Sequence, residues 1–253
     1  MTHTVTVRNL QIGSGRPKIC VPIAEQKEEE IVRFAARLAD THADMAEWRI
    51  DCFDAVLDGT ALKHTMRKLR TALGELPLLV TFRTKQEGGC RAISPAEYVG
   101  TNKEILSWGF ADLLDIELSM GDKTVSELVS AAERAGVRTV ISSHDFQKTP
   151  PREELIRRLT KMKESGADLP KLAVMPQNAD DVLTLLSATE SAAKKGIDPI
   201  ITMAMGGLGL ASRLAGEVFG SALTFGSAGR ASAPGQIDAE DLYRILELQH
   251  KVL

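Results

Sequence analysis

Eight short apolar runs, each followed by a stretch of helical periodicity, constrain this chain more than any other feature. The runs cover residues 18–21, 45–51, 78–83, 111–118, 137–143, 169–177, 198–205 and 222–225. Between them, sets such as Ile31, Phe34, Ala35 and Leu38, or Leu155, Leu159 and Met162, fall on single helix faces. Ser94-Pro-Ala-Glu97 is a capping box with proline at the first helical position. The last helix starts at Asp238 and is expected to turn Leu242, Ile245 and Leu246 inward. Eight strand–helix units in 253 residues match the length of an α/β (β/α)8 fold, the TIM barrel. No composition shift marks a second domain, so residues 1–253 are expected to form one. An open doubly wound sheet has the same alternation and remains the competing architecture. Ahead of the first unit, residues 4–12 alternate weakly around Asn9 and predict a small hairpin.

Composition narrows the function classes. A hydrophobic content of 43% supports a sizeable core, and no apolar run approaches the ~20 residues of a membrane-spanning helix. Met1-Thr-His-Thr-Val5 lacks the basic and apolar regions of a signal peptide. A net charge of −3 gives no reason to expect nucleic acid or an anionic membrane as partner. Cys20, Cys52 and Cys90 are odd in number and unpatterned in spacing. That argues against a disulfide framework or a zinc site and fits a reducing cytoplasm.

Barrels of this kind carry their chemistry at the C-terminal strand ends. The polar residues fall there: Glu47 and Arg49, Arg83 with Glu87 beyond it, Asp115 and Glu117, His144, and Lys171. Lys171 is the one charged residue of a Pro-bounded apolar strand. A buried ammonium is costly, so such a lysine is paired, reaches the surface, or works as a neutral amine. A neutral amine condenses with a ketone to an imine. Neighbouring arginines and partial burial are the expected means of activating it, and the same arginines suit a carboxylate. An iminium makes the adjacent C–H acidic, and His144, the one histidine ending a buried strand, is the natural base. Glu87 is placed to hold its imidazole in one tautomer. No His/Asp/Glu set has metal-ligand spacing, and Gly206-Gly-Leu-Gly209 is only a weak phosphate-loop signal without a GxGxxG or Walker pattern.

Beyond the individual residues, a series of motifs occurs in order: Glu47-Trp-Arg49, Thr81-Phe-Arg83 with Glu87-Gly-Gly, Asp115-Ile-Glu117, His144-Asp-Phe, Pro170-Lys171 with Met175-Pro-Gln, Ser212-Arg-Leu-Ala-Gly-Glu-Val-Phe-Gly220, Thr224-Phe-Gly226 and Ser232-Ala-Pro-Gly-Gln236. Over nearly its full length the chain resembles the type I 3-dehydroquinate dehydratases. The resemblance implies a TIM barrel closed at the bottom by the N-terminal hairpin, and a cytoplasmic homodimer. It implies a Schiff base between Lys171 and the C3 ketone of 3-dehydroquinate. It implies syn elimination to 3-dehydroshikimate, the shikimate-pathway step of aromatic amino acid biosynthesis, with His144 as acid and base and Glu87 as its partner. Arg213 would hold the substrate carboxylate. Glu47, Arg49, Arg83, Ser232 and Gln236 would hold its hydroxyls and the closing loop. Met203, Met205 and Phe225 would form walls, and Trp48 falls within the matching Glu47-Trp-Arg49 stretch as a further binding residue. No cofactor or metal is implied. Departures such as Ala204 and Ser143 touch none of the reacting groups. An aldolase-type Schiff-base lyase and a non-catalytic binder of quinate-like acids remain the alternatives.

Overall fold

The computed structural model describes residues 3–229 and 235–253. A hairpin of β1 (Val5–Val7) and β2 (Leu10–Ile12) comes first, paired Val5 to Ile12. Eight parallel strands follow: β3 (Lys18–Ile23), β4 (Met45–Arg49), β5 (Leu78–Thr81), β6 (Leu113–Glu117), β7 (Arg138–Asp145), β8 (Leu169–Val174), β9 (Ile201–Ala204) and β10 (Leu223–Phe225). Helices α1 (Glu28–Leu38), α2 (Gly59–Leu73), α3 (Pro95–Trp108), α4 (Asp122–Ala135), α5 (Arg152–Glu164) and α6 (Ala179–Lys194) join successive strands from β3 to β9. The short α7 (Leu210–Leu214) and α8 (Gly216–Phe219) join β9 to β10, and α9 (Ala239–His250) ends the chain.

Closure decides between the two architectures. The strands pair in chain order, and β10 returns to pair with β3, Phe225 opposite Cys20. The last gap is bridged where the Ala222 N–H donates to the Ile200 carbonyl at 2.8 Å, beside a parallel bridge from Ile200 to Ser221. An open doubly wound sheet reverses strand order at a switch point, and this sheet has none. The fold is the (β/α)8 barrel.

The core has two layers, as strand alternation requires. Outward-facing residues such as Ile19, Val21, Trp48, Val80 and Leu114 pack against the helices. Inward-facing Cys20, Met45, Leu79, Leu113, Val140 and Leu169 fill the lower barrel, and Val7 and Ile12 of the hairpin pack into the same cluster. The hairpin therefore plugs the N-terminal end and leaves the C-terminal end for the site.

A recurring device secures that lower rim. Asp44, Asp112 and Asp168 each stand one residue before β4, β6 and β8. Each accepts the first free N–H of the preceding strand: Ile19 at 2.7 Å, Leu78 at 2.9 Å and Thr139 at 2.8 Å. Asp112 also binds Arg8 and Arg70 at 2.7 and 2.9 Å, tying hairpin and α2 to the barrel. The charge on each aspartate strengthens bonds that a sheet end otherwise leaves to water.

Two expectations are corrected here. Ile245 is 36% exposed, while Leu242 and Leu246 are buried, because the inward stripe of α9 is narrower than three consecutive turn positions. Cys52 and Cys90 form a disulfide. Their separation of 38 residues shows no pattern in sequence, but the turns after the adjacent strands β4 and β5 bring their Cα atoms to 5.4 Å. Cys20 stays a free, buried thiol.

Candidate active site

Lys171 lies at the middle of β8, inward-facing and only 4% exposed. The alternation that sends Leu172 to the helices sends Lys171 and Ala173 into one cavity of about 200 Å³ at the open end. That size suits a single substituted ring better than a nucleotide. Lys171 Nζ sits 4.3 Å above the centre of the Phe225 ring, 3.5 Å from Glu47 Oε1 and 3.7 Å from Asp115 Oδ2. Here the structure departs from expectation: the charges nearest the amine are carboxylates, not arginines. Arginines surround it one step further out because Asp115 and Glu117 capture Arg83 first.

Arg83 is the hub of this buried layer. Its guanidinium donates to Asp115 at 2.9 Å, to Glu117 at 2.9 Å and to the Ser142 hydroxyl at 3.0 Å. Burial opposes its charge, but these carboxylates overrule it and push the guanidinium above its ordinary range. Asp115, fully buried, is held below the usual carboxylate range by Arg83, Lys171 and the Ser142 hydroxyl, against the desolvation that opposes its charge. Arg49 is gripped at 2.8 Å by both oxygens of Asp51 in the short 3-10 turn that ends β4.

His144, near the end of β7, meets Glu87, which rides on a 3-10 turn after β5. Glu87 Oε2 accepts from the His144 backbone N–H at 3.0 Å and lies 2.9 Å from Nδ1. That contact assigns the ring proton to Nδ1 and leaves Nε2 for the cavity. The turn needs Gly89: a Cβ there would lie 1.8 Å from the Arg83 carbonyl oxygen, so no side chain permits the fold-back that delivers Glu87. Burial, with Arg83, Lys171 and Arg49 nearby, pushes the imidazole well below its ordinary value and keeps it neutral, the state a base requires. Burial, with Glu117 and Asp115 adding like charge, raises Glu87 to about 7.

The raised carboxyl has a stability consequence. Glu87 takes up its proton at a higher pH in the folded chain than its ordinary 4.5, so the folded state loses stability as pH rises from there to about 7. Glu87→Gln removes that titration. Urea unfolding is therefore expected to show the variant gaining on the parent between about pH 5 and about pH 8. A difference that is flat across this window contradicts the assignment.

On the far wall, Arg213 from α7 is buried beside Met203 and Phe225. Its Nη1 donates to the Phe225 carbonyl oxygen at 3.5 Å, its Nε is buried without a hydrogen-bond partner, and no carboxylate among the described residues pairs with it. Burial alone pushes it down to about 10, so it remains cationic at neutral pH. An uncompensated buried cation is what an anionic substrate group neutralises.

Most of the expected residues converge. Glu47, Arg49, Arg83, Glu87, His144 and Lys171 line the cavity with Met203, Met205, Arg213, Phe225 and Gln236. Trp48 does not: it is fully buried on the outer face of β4, packed near Phe53, because neighbours in a strand point to opposite sides. Ser232 lies outside the described residues. Pro22, Gly88, Phe146 and Ala173 also line the cavity and are not expected from sequence. Ala173 and Pro22 were accessible from the period-two pattern, two residues from Lys171 and Cys20. The Gly206–Gly209 stretch is a turn, and Gly209 serves packing, since a Cβ there would meet the Ala204 carbonyl oxygen at 2.1 Å. Among the described residues, the one cluster of metal-type ligand atoms is Asp51, Cys52 and Cys90, already engaged in the disulfide and the Arg49 pair.

An amine that shares its cavity with a neutral imidazole and with a guanidinium lacking a carboxylate partner among the described residues suits imine-based proton abstraction on a keto acid. Comparison with known proteins agrees. Residues 19–252 match the family model described as type I 3-dehydroquinase. The chain is 50% identical over 252 residues to 3-dehydroquinate dehydratase of Clostridioides difficile strain 630, covering 99% of each chain. It is 52% identical to that of Syntrophotalea carbinolica, covering 98% of each. In structure it is similar to the type I 3-dehydroquinate dehydratase from Clostridium difficile with covalently modified comenic acid, at TM-score 0.97 and 49% identity over 100% of both chains.

Proposed function

The chain belongs to the type I 3-dehydroquinase family, and from that membership we propose how its own residues carry out the reaction. The reaction is the shikimate-pathway dehydration of 3-dehydroquinate to 3-dehydroshikimate through a lysine Schiff base. One observation carries the residue assignment: Lys171, the Glu87–His144 pair and Arg213, which has no carboxylate partner among the described residues, face one small cavity.

Arg213, with its free buried Nε, takes the substrate carboxylate. The neutral Lys171 amine attacks the C3 ketone, and Glu47, 3.5 Å away, accepts the ammonium proton that must leave first. As the carbinolamine forms, one N–H proton of the adding amine passes to His144 Nε2 and Glu47 returns its proton to the C3 oxygen; the imidazolium then protonates that hydroxyl, which leaves as water and gives the iminium with the imidazole neutral again. His144 Nε2 then removes one C2 proton, whose electron pair flows toward the iminium nitrogen. The enamine expels the C1 hydroxyl as the same imidazolium returns its proton, on the same face. Water releases 3-dehydroshikimate and restores the amine. Glu87 stabilises the transient imidazolium, as the third member of a nucleophile–base–carboxylate set does. Arg49, Arg83, Gln236 and Ser232 hold the hydroxyls, and Met203, Met205 and Phe225 form the apolar walls.

The same proposal has the enzyme act as a homodimer in the cytoplasm, without cofactor or metal. The Cys52–Cys90 pair removes the cysteine argument for a reducing compartment, so the cytoplasmic placement rests on family membership. Among the described residues, no helix is long and apolar enough to cross a membrane. The reaction is tested with 3-dehydroquinate deuterated separately at each C2 position. Label is expected to leave from one position only, the face of His144. Loss from both positions at equal rates contradicts a single positioned base.

A further inference from the structure

We infer that Ser119 is a positioning residue for the catalytic pair: its hydroxyl holds the Glu87 carboxylate in the orientation that presents the other oxygen to His144. The inference rests on the roles given above to Glu87 and His144. Ser119 lies on the short 3-10 turn Leu118–Met120 that follows β6. Its Oγ donates to Glu87 Oε1 at 2.6 Å, while Oε2 faces the backbone N–H and Nδ1 of His144. A carboxylate bound at one oxygen only can rotate. Bound at both, it is fixed, so three consecutive strand ends (β5, β6 and β7) lock one ring orientation.

The hydroxyl also bears on charge. Facing the pair are Arg83 just past β5, Asp115 and Glu117 from β6, Lys171 from β8 and Arg49 from β4, with Glu47 of β4 lining the same cavity beside Lys171. The carboxylates disfavour ionisation of Glu87, Arg83 favours it, and so does the Ser119 bond. Because Ser119 is exposed, water can replace a lost hydroxyl if room is left for it. The decisive comparison is therefore between two side chains of equal shape. Ser119→Val fills the space and excludes water; Ser119→Thr fills it and restores the hydroxyl.

The experiment is the pH profile of kcat/KM for the parent, Ser119→Val, Ser119→Thr and Glu87→Gln, each checked for native circular dichroism. The acid limb of Ser119→Val is expected to move up by about one pH unit, a roughly tenfold loss on that limb. Ser119→Thr is expected to keep the parent's limb. If Ser119→Val does not fold, Ser119→Ala serves with a smaller shift in the same direction. An unmoved limb in a folded Ser119→Val or Ser119→Ala, with the limb lost or displaced in Glu87→Gln, overturns the role of Ser119 alone. A parent limb retained in Glu87→Gln overturns the role of Glu87, and that of Ser119 with it.

Discussion

Lys171→Ala is expected to lower kcat/KM for 3-dehydroquinate by at least about four orders of magnitude, as the loss of a sole nucleophile does elsewhere. No other lysine reaches this cavity among the described residues. Without the amine there is no imine, and without the imine the C2 proton has no electron sink. The fold should survive. Asp115 keeps Arg83 and Ser142 as partners, and Glu47 keeps the Thr81 hydroxyl at 2.8 Å. Substrate binding should weaken far less than turnover, since Arg213 and the groups proposed to hold the hydroxyls remain. Steady-state kinetics together with calorimetric titration of 3-dehydroquinate separate the two effects. Turnover within tenfold of the parent would remove Lys171 from its assigned role.

His144→Ala is expected to cost about 10³- to 10⁴-fold in kcat, the upper end for a general acid–base residue. The loss falls on the elimination more than on condensation. Lys171 remains beside Glu47, so the variant should still form the imine, slowly, and accumulate it. Rapid-quench mass spectrometry of His144→Ala with 3-dehydroquinate should show protein carrying the substrate less one water. Fast product formation by this variant would mean that another group abstracts the C2 proton.

Much of this site was legible because it obeys simple periodicities. Lys171 was visible as a charge inside a proline-bounded apolar strand, and His144 as the one histidine delivered by such a strand. The barrel itself follows from eight alternations, but its closure does not, because it depends on the single junction between Ile200 and residues 221–222. Glu87 was less legible. Its position depends on a backbone fold-back that only Gly89 permits, and paired glycines are equally at home in turns that deliver no side chain anywhere. Trp48 shows the opposite failure. It is contiguous with two cavity residues, but the strand geometry that sends Glu47 and Arg49 inward sends Trp48 outward.

What the sequence does not display is which partner a charged group chooses. The sequence places Lys171 among arginines, whereas in the fold it sits against Glu47 and Asp115 because Arg83 is bound by Asp115 and Glu117. The Cys52–Cys90 pair and the Ser119–Glu87 bond are likewise contacts between turns on neighbouring strands. Residues 38 and 32 apart in the chain meet there only after the barrel has formed.

The central claim is that Lys171 forms the imine, and borohydride trapping tests it most directly. The unaltered protein is incubated with 3-dehydroquinate, reduced, and analysed by intact-mass and peptide mass spectrometry. A ligand-sized adduct confined to the peptide bearing Lys171 is the predicted result. Continued turnover with no adduct, or an adduct on a different lysine, would contradict the account.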